Sequence, residues 1–274
     1  MKEFRLKRGE KLLEIIKSFS ATEKQLDEFY EEAVLAYKKI FNRLSLGDRT
    51  YLTLASGGSF GTKYSHEFPT LTSAGEDTRY VHKKKDIAIN KEVLNGETLE
   101  NLGIKKEELV EEKSIEVGNI YKLGTFYSKP LGLSYRTEKG EDKPVVMGSY
   151  GIGLGRVMGT IVEVFADDKG IVWPESIAPF RFHLVEVLGS GEDVSFIKNS
   201  AKNLYEKLGG LNGNVLYDDR DIRVGEKFGD SDLIGIPWRV VVSGRTIESD
   251  LYEVKNRATS IVKMLSLNEL LSLS

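Results

Sequence analysis

The 274-residue sequence contains no cysteine, which excludes a disulfide framework and any thiolate metal site. Histidine is scarce: His66, His82 and His183 are the whole supply of imidazole. There is no excess of positive charge. The formal net charge is −3, so any contact with nucleic acid has to come from a local patch rather than a generally basic surface. No uninterrupted apolar run approaches the length of a membrane span. The opening residues, Met1-Lys2-Glu3-Phe4-Arg5, are charged where a secretory signal would be apolar. These absences fit a cytoplasmic protein with no membrane partner, long enough for one large domain or two modest ones.

What the chain does have is glycine in a pattern. In Val145-Val146-Met147-Gly148-Ser149-Tyr150-Gly151-Ile152-Gly153-Leu154-Gly155-Arg156, alternating glycines precede an arginine, and an apolar run from Val157 to Phe165 then opens a helix. Glycine at every second position bares one face of an extended segment, so a flat ligand can lie against backbone. Arg156 adds a planar, permanent charge suited to phosphate oxygens. The spacing is neither a dinucleotide fingerprint nor a phosphate loop, and on spacing alone a bulge or tight packing explains the glycines equally well.

The rest of the chain reads as two parts. Ser20-Ala21-Thr22-Glu23 caps a helix over about 23–44, with Leu26, Phe29, Tyr30, Ala33, Ala36, Tyr37 and Ile40 at helical spacing. A glycine-rich stretch follows at 55–61. Residues 83–113 are so highly charged that they are expected to be solvated. Strands are expected at 115–121, 131–135 and 144–150, with a hairpin loop at 137–143. Beyond a boundary near Pro174–Pro179, strands are expected at 182–187, 214–217, 238–243 and 251–254. Helices are expected there at 194–208, 224–230 and 260–271. This alternation argues a mixed or parallel sheet covered by helices.

Several blocks resemble one family. Gly151 to Arg156 resembles motif 3 of the class II aminoacyl-tRNA synthetases. Ser65-His66-Glu67-Phe68 with Ala74-Gly75-Glu76-Asp77-Thr78, and Glu116-Val117-Gly118-Asn119-Ile120-Tyr121-Lys122-Leu123-Gly124-Thr125, resemble blocks of the bacterial-type prolyl-tRNA synthetases. Gly170 to Pro179 resembles that family's segment joining the catalytic and anticodon-binding domains. Tyr217-Asp218-Asp219-Arg220 and Asp232 to Pro237 resemble the anticodon-binding domain itself. The blocks occur in the family's order across nearly the whole chain.

The resemblance implies an α/β and α+β protein. Residues 1–175 would be the C-terminal part of a class II antiparallel-sheet catalytic core, and 180–274 a mixed-sheet α/β anticodon-binding domain. It implies ATP-dependent activation of proline and transfer to tRNA(Pro), with ATP as substrate and Mg²⁺ accompanying it. Arg156 would be the catalytic, phosphate-binding residue, and Glu116, Gly151, Gly153 and Gly155 would line the ATP site. His66, Glu67, Ser149 and Asn119 would line the proline pocket, and Arg220, Arg223 and Lys227 would meet the anticodon. No metal ligand is assigned; Glu76 and Asp77 are expected to be structural loop acids. For each site residue a bland reading stays open: a paired helix-start arginine, a structural histidine, a plain strand serine, a supporting carboxylate, a salt-bridged surface around Arg220.

Two departures matter. Motif 1 and the motif 2 Phe-Arg-x-Glu element do not occur, while Phe4 to Glu10 resembles only the second strand of motif 2. The block that follows is eroded, with Ile15 and Lys17 where the family has Asp and Tyr, and Asn119 stands where many relatives have His. An arginine aimed at a transferring phosphate is worth orders of magnitude in rate. The chain alone is therefore expected to form adenylate poorly, and to need a homodimeric partner or an N-terminal half supplied separately. Exposed sheet edge and apolar surface should mark that need. A tRNA-binding module without catalysis, or an accessory subunit, is the alternative.

Overall fold

The computed structural model describes residues 13–57, 64–189 and 193–273. The motif 2-like segment Phe4 to Glu10, and residues 58–61 of the glycine-rich stretch, lie outside the described residues. The chain forms two compact units, one through Val164 and one from Phe165.

The first unit is built on a seven-stranded sheet. Its elements in chain order are β1 (Leu13–Ser20), α1 (Glu23–Arg43), β2 (Leu52–Ser56), β3 (Tyr64–Leu71), β4 (Asp77–His82), β5 (Ile87–Asn90), α2 (Gly96–Leu102) and β6 (Val110–Gly124), then the small hairpin β7 (Ser134–Arg136) and β8 (Asp142–Pro144), and finally β9 (Val146–Gly153) and α3 (Leu154–Phe165). The strand order is β1-β9-β6-β3-β2-β5-β4, and β4 pairs again with the first part of β6. Five strands thereby close on themselves, leaving β1 as an edge among the described residues. All these pairings are antiparallel except β2 with β5, so the antiparallel expectation holds with one parallel pair. On the β1 edge strand Ile15, Ile16 and Phe19 are 50%, 65% and 61% exposed, the exposed edge and apolar surface that the sequence reading anticipated.

Helix α1 starts because Thr22 accepts a hydrogen bond from the Gln25 amide while the Gln25 side chain accepts from the Ala21 amide. Its buried face is Leu26, Tyr30, Val34, Tyr37 and Phe41. The expected stripe is therefore rotated: Phe29 is 41% exposed, and Val34 and Phe41 take core places that alanine and isoleucine were expected to hold. Tyr37 and Phe41 meet Phe68 of β3 at ring-centroid distances of 4.7 and 5.6 Å, joining α1 to the sheet.

Two expectations fail here. Residues 83–113 are not a solvated stretch: they contain β5, an inner strand whose Ala88 and Ile89 are buried, and they bury Val93 and Ile104 as well. The short apolar run Ile87-Ala88-Ile89 was hidden by the lysines before it. The expected strand at 131–135 is mostly turn, with Leu131 75% exposed and β7 beginning at Ser134.

The second unit contains β10 (Phe182–Glu186), α4 (Val194–Lys207), β11 (Val215–Asp218), α5 (Val224–Ile234), β12 (Trp238–Val242), α6 (Gly244–Glu248), β13 (Tyr252–Asn256), β14 (Val262–Leu265) and α7 (Leu267–Leu271). The five-stranded sheet runs β11-β10-β12-β13-β14, parallel among the first three and antiparallel thereafter. Phe182, Leu184, Val240, Val242 and Val254 form its core with Ile197, Ala201 and Leu204 of α4. The segment after Phe165 packs on α5: the Ile171 amide donates to Leu233 O at 3.0 Å, and Asp167 forms a bidentate pair with Arg257 at 2.6 and 2.7 Å. The helix expected over 260–271 is instead β14 followed by the short α7. Pairing with β13 extends Val262–Leu265, and Ser266 with Glu269 closes a capping box that starts the helix late.

Because Phe68 is 1% exposed and carries the contact between α1 and the sheet, Phe68→Ala is expected to lower stability by about 3–5 kcal/mol. Denaturant titration of the variant against the parent protein measures this.

Candidate active site

Side chains alternate across a strand, so the sheet of the first unit has two distinct faces. One is covered by α1. On it lie His66, Phe68, Ile120 and Tyr150, and the Tyr30 hydroxyl of α1 is hydrogen-bonded to His66 Nδ1 at 2.8 Å and donates to Ile120 O at 3.3 Å. The register that pairs His66 with Ile120 pairs Glu67 with Asn119, and Asn119 in turn lies opposite Gly151. Glu67, Asn119, Gly151, Ser149 and Tyr121 therefore share the other, open face.

One local irregularity enlarges that face. Residues 116 and 119 of a regular strand would point to opposite sides. The register of β3 and β6 slips between Phe68 and Pro69, which leaves Val117 as an extra residue and brings Glu116 round beside Asn119, whose amide donates to Glu116 Oε1 at 2.9 Å. Nearby, Arg79 of β4 donates to Glu67 Oε2 at 2.8 Å and to Asp77 Oδ2 at 3.4 Å, and Asn90 of β5 adds a weaker bond to Glu67. Burial raises the pKa of Glu67, and the neighbouring Glu116 raises it further against the opposing pull of Arg79. Burial likewise raises Glu116, with the Asn119 amide working the other way. Arg79 is shared between Glu67 and Asp77 and offsets one of their two charges, whereas Glu116 has a neutral amide and no ion pair among the described residues. The floor of this face thus favours a cation.

The glycine pattern divides between two elements. Gly151 and Gly153 close β9 and put no side chain on the open face, both being buried and Gly153 lying under the Arg156 side chain, whereas Gly155 is already in the first turn of α3, so the glycines do not form one extended run as the spacing alone suggested. Arg156, one residue further, donates from Nη1 to Glu116 O at 3.0 Å and from Nη2 to Glu76 Oε1 at 3.4 Å. Its side chain is 20% exposed, and burial lowers its pKa. Glu76 belongs to the turn after β3, where a Cβ on Gly75 would overlap the backbone of Ser114. Ser149 lies further along β9, and its Oγ accepts from Lys17 Nζ of β1 at 2.6 Å.

Of the residues singled out in the sequence, the structure brings Glu67, Glu116, Asn119, Ser149, Gly151, Gly153 and Arg156 to one region. It does not bring His66 there. Adjacent residues of a strand face opposite ways, so Glu67 on the open face places His66 against α1. Arg79, Asn90 and Lys17 were missed. The two-residue step from Asp77 to Arg79 was a visible signal that they share a face; the approach of Glu116 to Asn119 had none.

In the second unit, Arg220 is held by Asp218 (2.9 and 2.8 Å) and Asp230 (2.7 Å), and its side chain is 51% exposed. Arg223 precedes α5, is exposed, and has no carboxylate partner among the described residues. Lys227 is 2% exposed. Its ammonium donates to the carbonyls of Glu186 and Asp218 at 2.8 and 3.3 Å, so it braces the ends of β10 and β11 rather than presenting charge.

His66 yields a pH prediction. Burial, reinforced by the Lys122 charge, lowers its pKa from 6.5 to about 4, and burial does the same to His183. Between those values the unfolded chain binds more protons than the folded one, so stability is full above about pH 6.5 and falls as the pH drops toward 4. Denaturant midpoints at pH 7 and pH 5 should show the loss, His66→Gln should reduce it, and the His66 ring should not titrate near 6.5 in NMR spectra.

Comparison with known proteins covers both units. Residues 13–165 match the tRNA synthetase class II core domain (G, H, P, S and T), and residues 185–273 match the anticodon binding domain. Among curated relatives, a proline–tRNA ligase from Wolbachia sp. subsp. Drosophila simulans (strain wRi) is 38% identical over 85% of this chain and 56% of the relative. One from Ehrlichia chaffeensis (strain ATCC CRL-10679 / Arkansas) is 36% identical over 86% and 57%. One from Anaplasma phagocytophilum (strain HZ) is 34% identical over 93% and 61%. The chain therefore spans little more than half the length of these relatives. With its antiparallel core and following mixed-sheet unit, it belongs to the class II tRNA synthetase family defined by that core domain.

Proposed function

We propose that the chain serves in the activation of proline by ATP and its transfer to tRNA(Pro). The observation that carries this reading is the single sheet face on which Glu67, Glu116, Asn119 and Ser149 lie beside Gly151 and Gly153, with Arg156 at one end. Glu67 and Glu116 supply negative charge to the substrate amine. The adenosine lies against Gly151 and Gly153, and Arg156, anchored on Glu116 O, meets the phosphates. The amino-acid carboxylate attacks the α-phosphorus, the bond to the β-phosphate oxygen breaks and pyrophosphate leaves. A terminal ribose hydroxyl of the tRNA then attacks the carbonyl carbon and AMP departs. The protein's contribution is alignment and stabilisation of developing charge.

Mg²⁺ accompanies the nucleotide. Among the described residues no three His, Asp or Glu side chains converge as a metal-binding group. In the second unit, exposed Arg223 and the outer edge of Arg220 are the charges offered to the anticodon, with Lys227 shaping the loop that carries them. Unpaired anticodon bases are the RNA feature such side chains read most readily. The apolar β1 strand is the surface for a second copy, and the cytoplasm is where such a protein acts. Among the described residues no helix is long and apolar enough to cross a membrane.

Proline-dependent exchange of pyrophosphate into ATP tests the first reaction: Arg156→Ala should reduce it by roughly 100-fold or more. Absence of exchange from the folded parent chain would favour a tRNA-binding module instead. Arg223→Glu should weaken binding of tRNA(Pro) roughly tenfold and flatten its salt dependence while leaving exchange unchanged.

A further inference from the structure

The two carboxylates of the open face are not held alike. Glu116 has only the neutral Asn119 amide. Glu67 has a fixed cation: Arg79 of β4, itself 4% exposed, donates from Nη2 to Glu67 Oε2 at 2.8 Å. Asn90 of β5 donates to the same oxygen at 3.4 Å. Both donors take Oε2, and Oε1 accepts no hydrogen bond among the described residues. Arg79 is pinned in turn, because its Nη1 donates to Thr78 O at 3.1 Å and its Nη2 reaches Asp77 Oδ2 at 3.4 Å. Its Nε is buried without a partner among the described residues. On stability alone, such a buried pair gains little over apolar side chains of the same size, and an unpaired donor adds to its cost.

The other groups around Glu67 supply no positive charge. Thr53 of β2 and Asn119 of β6 lie opposite it in register, Asp77 belongs to β4, and Glu116 and Tyr121 of β6 feel its field. Without Arg79 it would be a buried acid among acids, a setting that keeps a carboxyl protonated. Its position also suits the chemistry. Glu67 pairs with Asn119, and Arg156 rests on Glu116 O of the same strand. An amine at Glu67 and phosphates at Arg156 are thus neighbours across β6, as an amino-acid carboxylate that must reach the α-phosphorus requires.

We propose that Arg79 is a positioning residue: it holds Glu67 by Oε2 so that Oε1 is presented, ionised, to the ammonium of the amino-acid substrate. Glu67, rather than Glu116, is then the anchor of that ammonium. The inference rests on the reading of this face as the substrate site.

The test is calorimetric titration of the full chain with proline, with its ether analogue, in which oxygen replaces the ring nitrogen, and with AMP. It compares the parent protein with Glu67→Gln, Arg79→Gln, Arg79→Lys and the Glu67→Gln, Arg79→Gln double variant, each checked for folding by circular dichroism. The parent should bind proline roughly tenfold more tightly than the uncharged ether. Glu67→Gln and Arg79→Gln should each bring that ratio near one, and the double variant should be no worse than either, since the two act as one unit. Arg79→Lys keeps the charge without the planar fork and should retain only part of the ratio. AMP affinity should be unchanged throughout, which a general loss of packing would not allow. A ratio that survives Arg79→Gln but not Glu67→Gln would overturn the positioning role. A ratio that survives Glu67→Gln would overturn the anchor. Should Arg79→Gln not fold, Arg79→Lys decides, and an undiminished ratio there overturns the role. A parent protein that does not prefer proline to the ether would overturn the reading of the site on which the inference depends.

Discussion

The extra residue in β6 at Val117 is the constraint on which the open face depends. β6 is the strand that β3, β4 and β9 all share. Without the slip in register, Glu116 would turn toward the side covered by α1, where a carboxylate has no counter-charge and costs several kcal/mol to bury. With it, Glu116 joins Asn119, and its backbone carbonyl, displaced from the regular ladder, accepts the Arg156 guanidinium. One bulge thus sets the position of an acid, an amide and the arginine at the head of α3.

The charges on this face are arranged by strand. The carboxylates come from β3 and β6, the arginine that restrains them from β4, and the lysine from the far edge at β1. Because Glu67 and Glu116 are both largely withdrawn from water, each feels the other, and a single arginine shared with Asp77 does not neutralise them. Such a pair is held ionised most easily by a cation brought from outside. The α1 side is built in the opposite way: Tyr30 and His66 pair as neutral groups, and burial pushes the Tyr30 hydroxyl further from ionisation.

Much of this was legible in the residues, for reasons that can be named. The Thr22 cap, the strand over 115–121 and the mixed or parallel sheet of the second unit follow from local rules of capping and alternation, and the structure has that cap, a longer strand containing 115–121, and a mixed sheet. The glycine and arginine pattern led to the sheet face that Glu67, Glu116 and Asn119 share. Failures came where a distant partner decided the outcome. β5 is strand because β2 and β4 flank it, although lysines precede it; Val262 to Leu265 is strand because β13 lies beside it. His66 was grouped with Glu67 because the resemblance implies one pocket for both, whereas neighbours in a strand face opposite sides. The bulge was invisible, since no residue type announces a one-residue slip.

The pairing of β1 with β9 has a consequence for how the protein is made. Lys17 and Ser149 touch across 132 positions of sequence, and the ladder they belong to closes only when both strands are present. During synthesis β1 leaves the ribosome with its inner edge unpaired and must wait until Gly153 follows. Contacts of such long sequence separation form slowly, because the loop between them must first be ordered. An unpaired strand that carries Ile15, Ile16 and Phe19 is for that interval a binding site for any chaperone that takes extended apolar segments. The nascent chain therefore exposes, until β9 arrives, an apolar strand that benefits from protection.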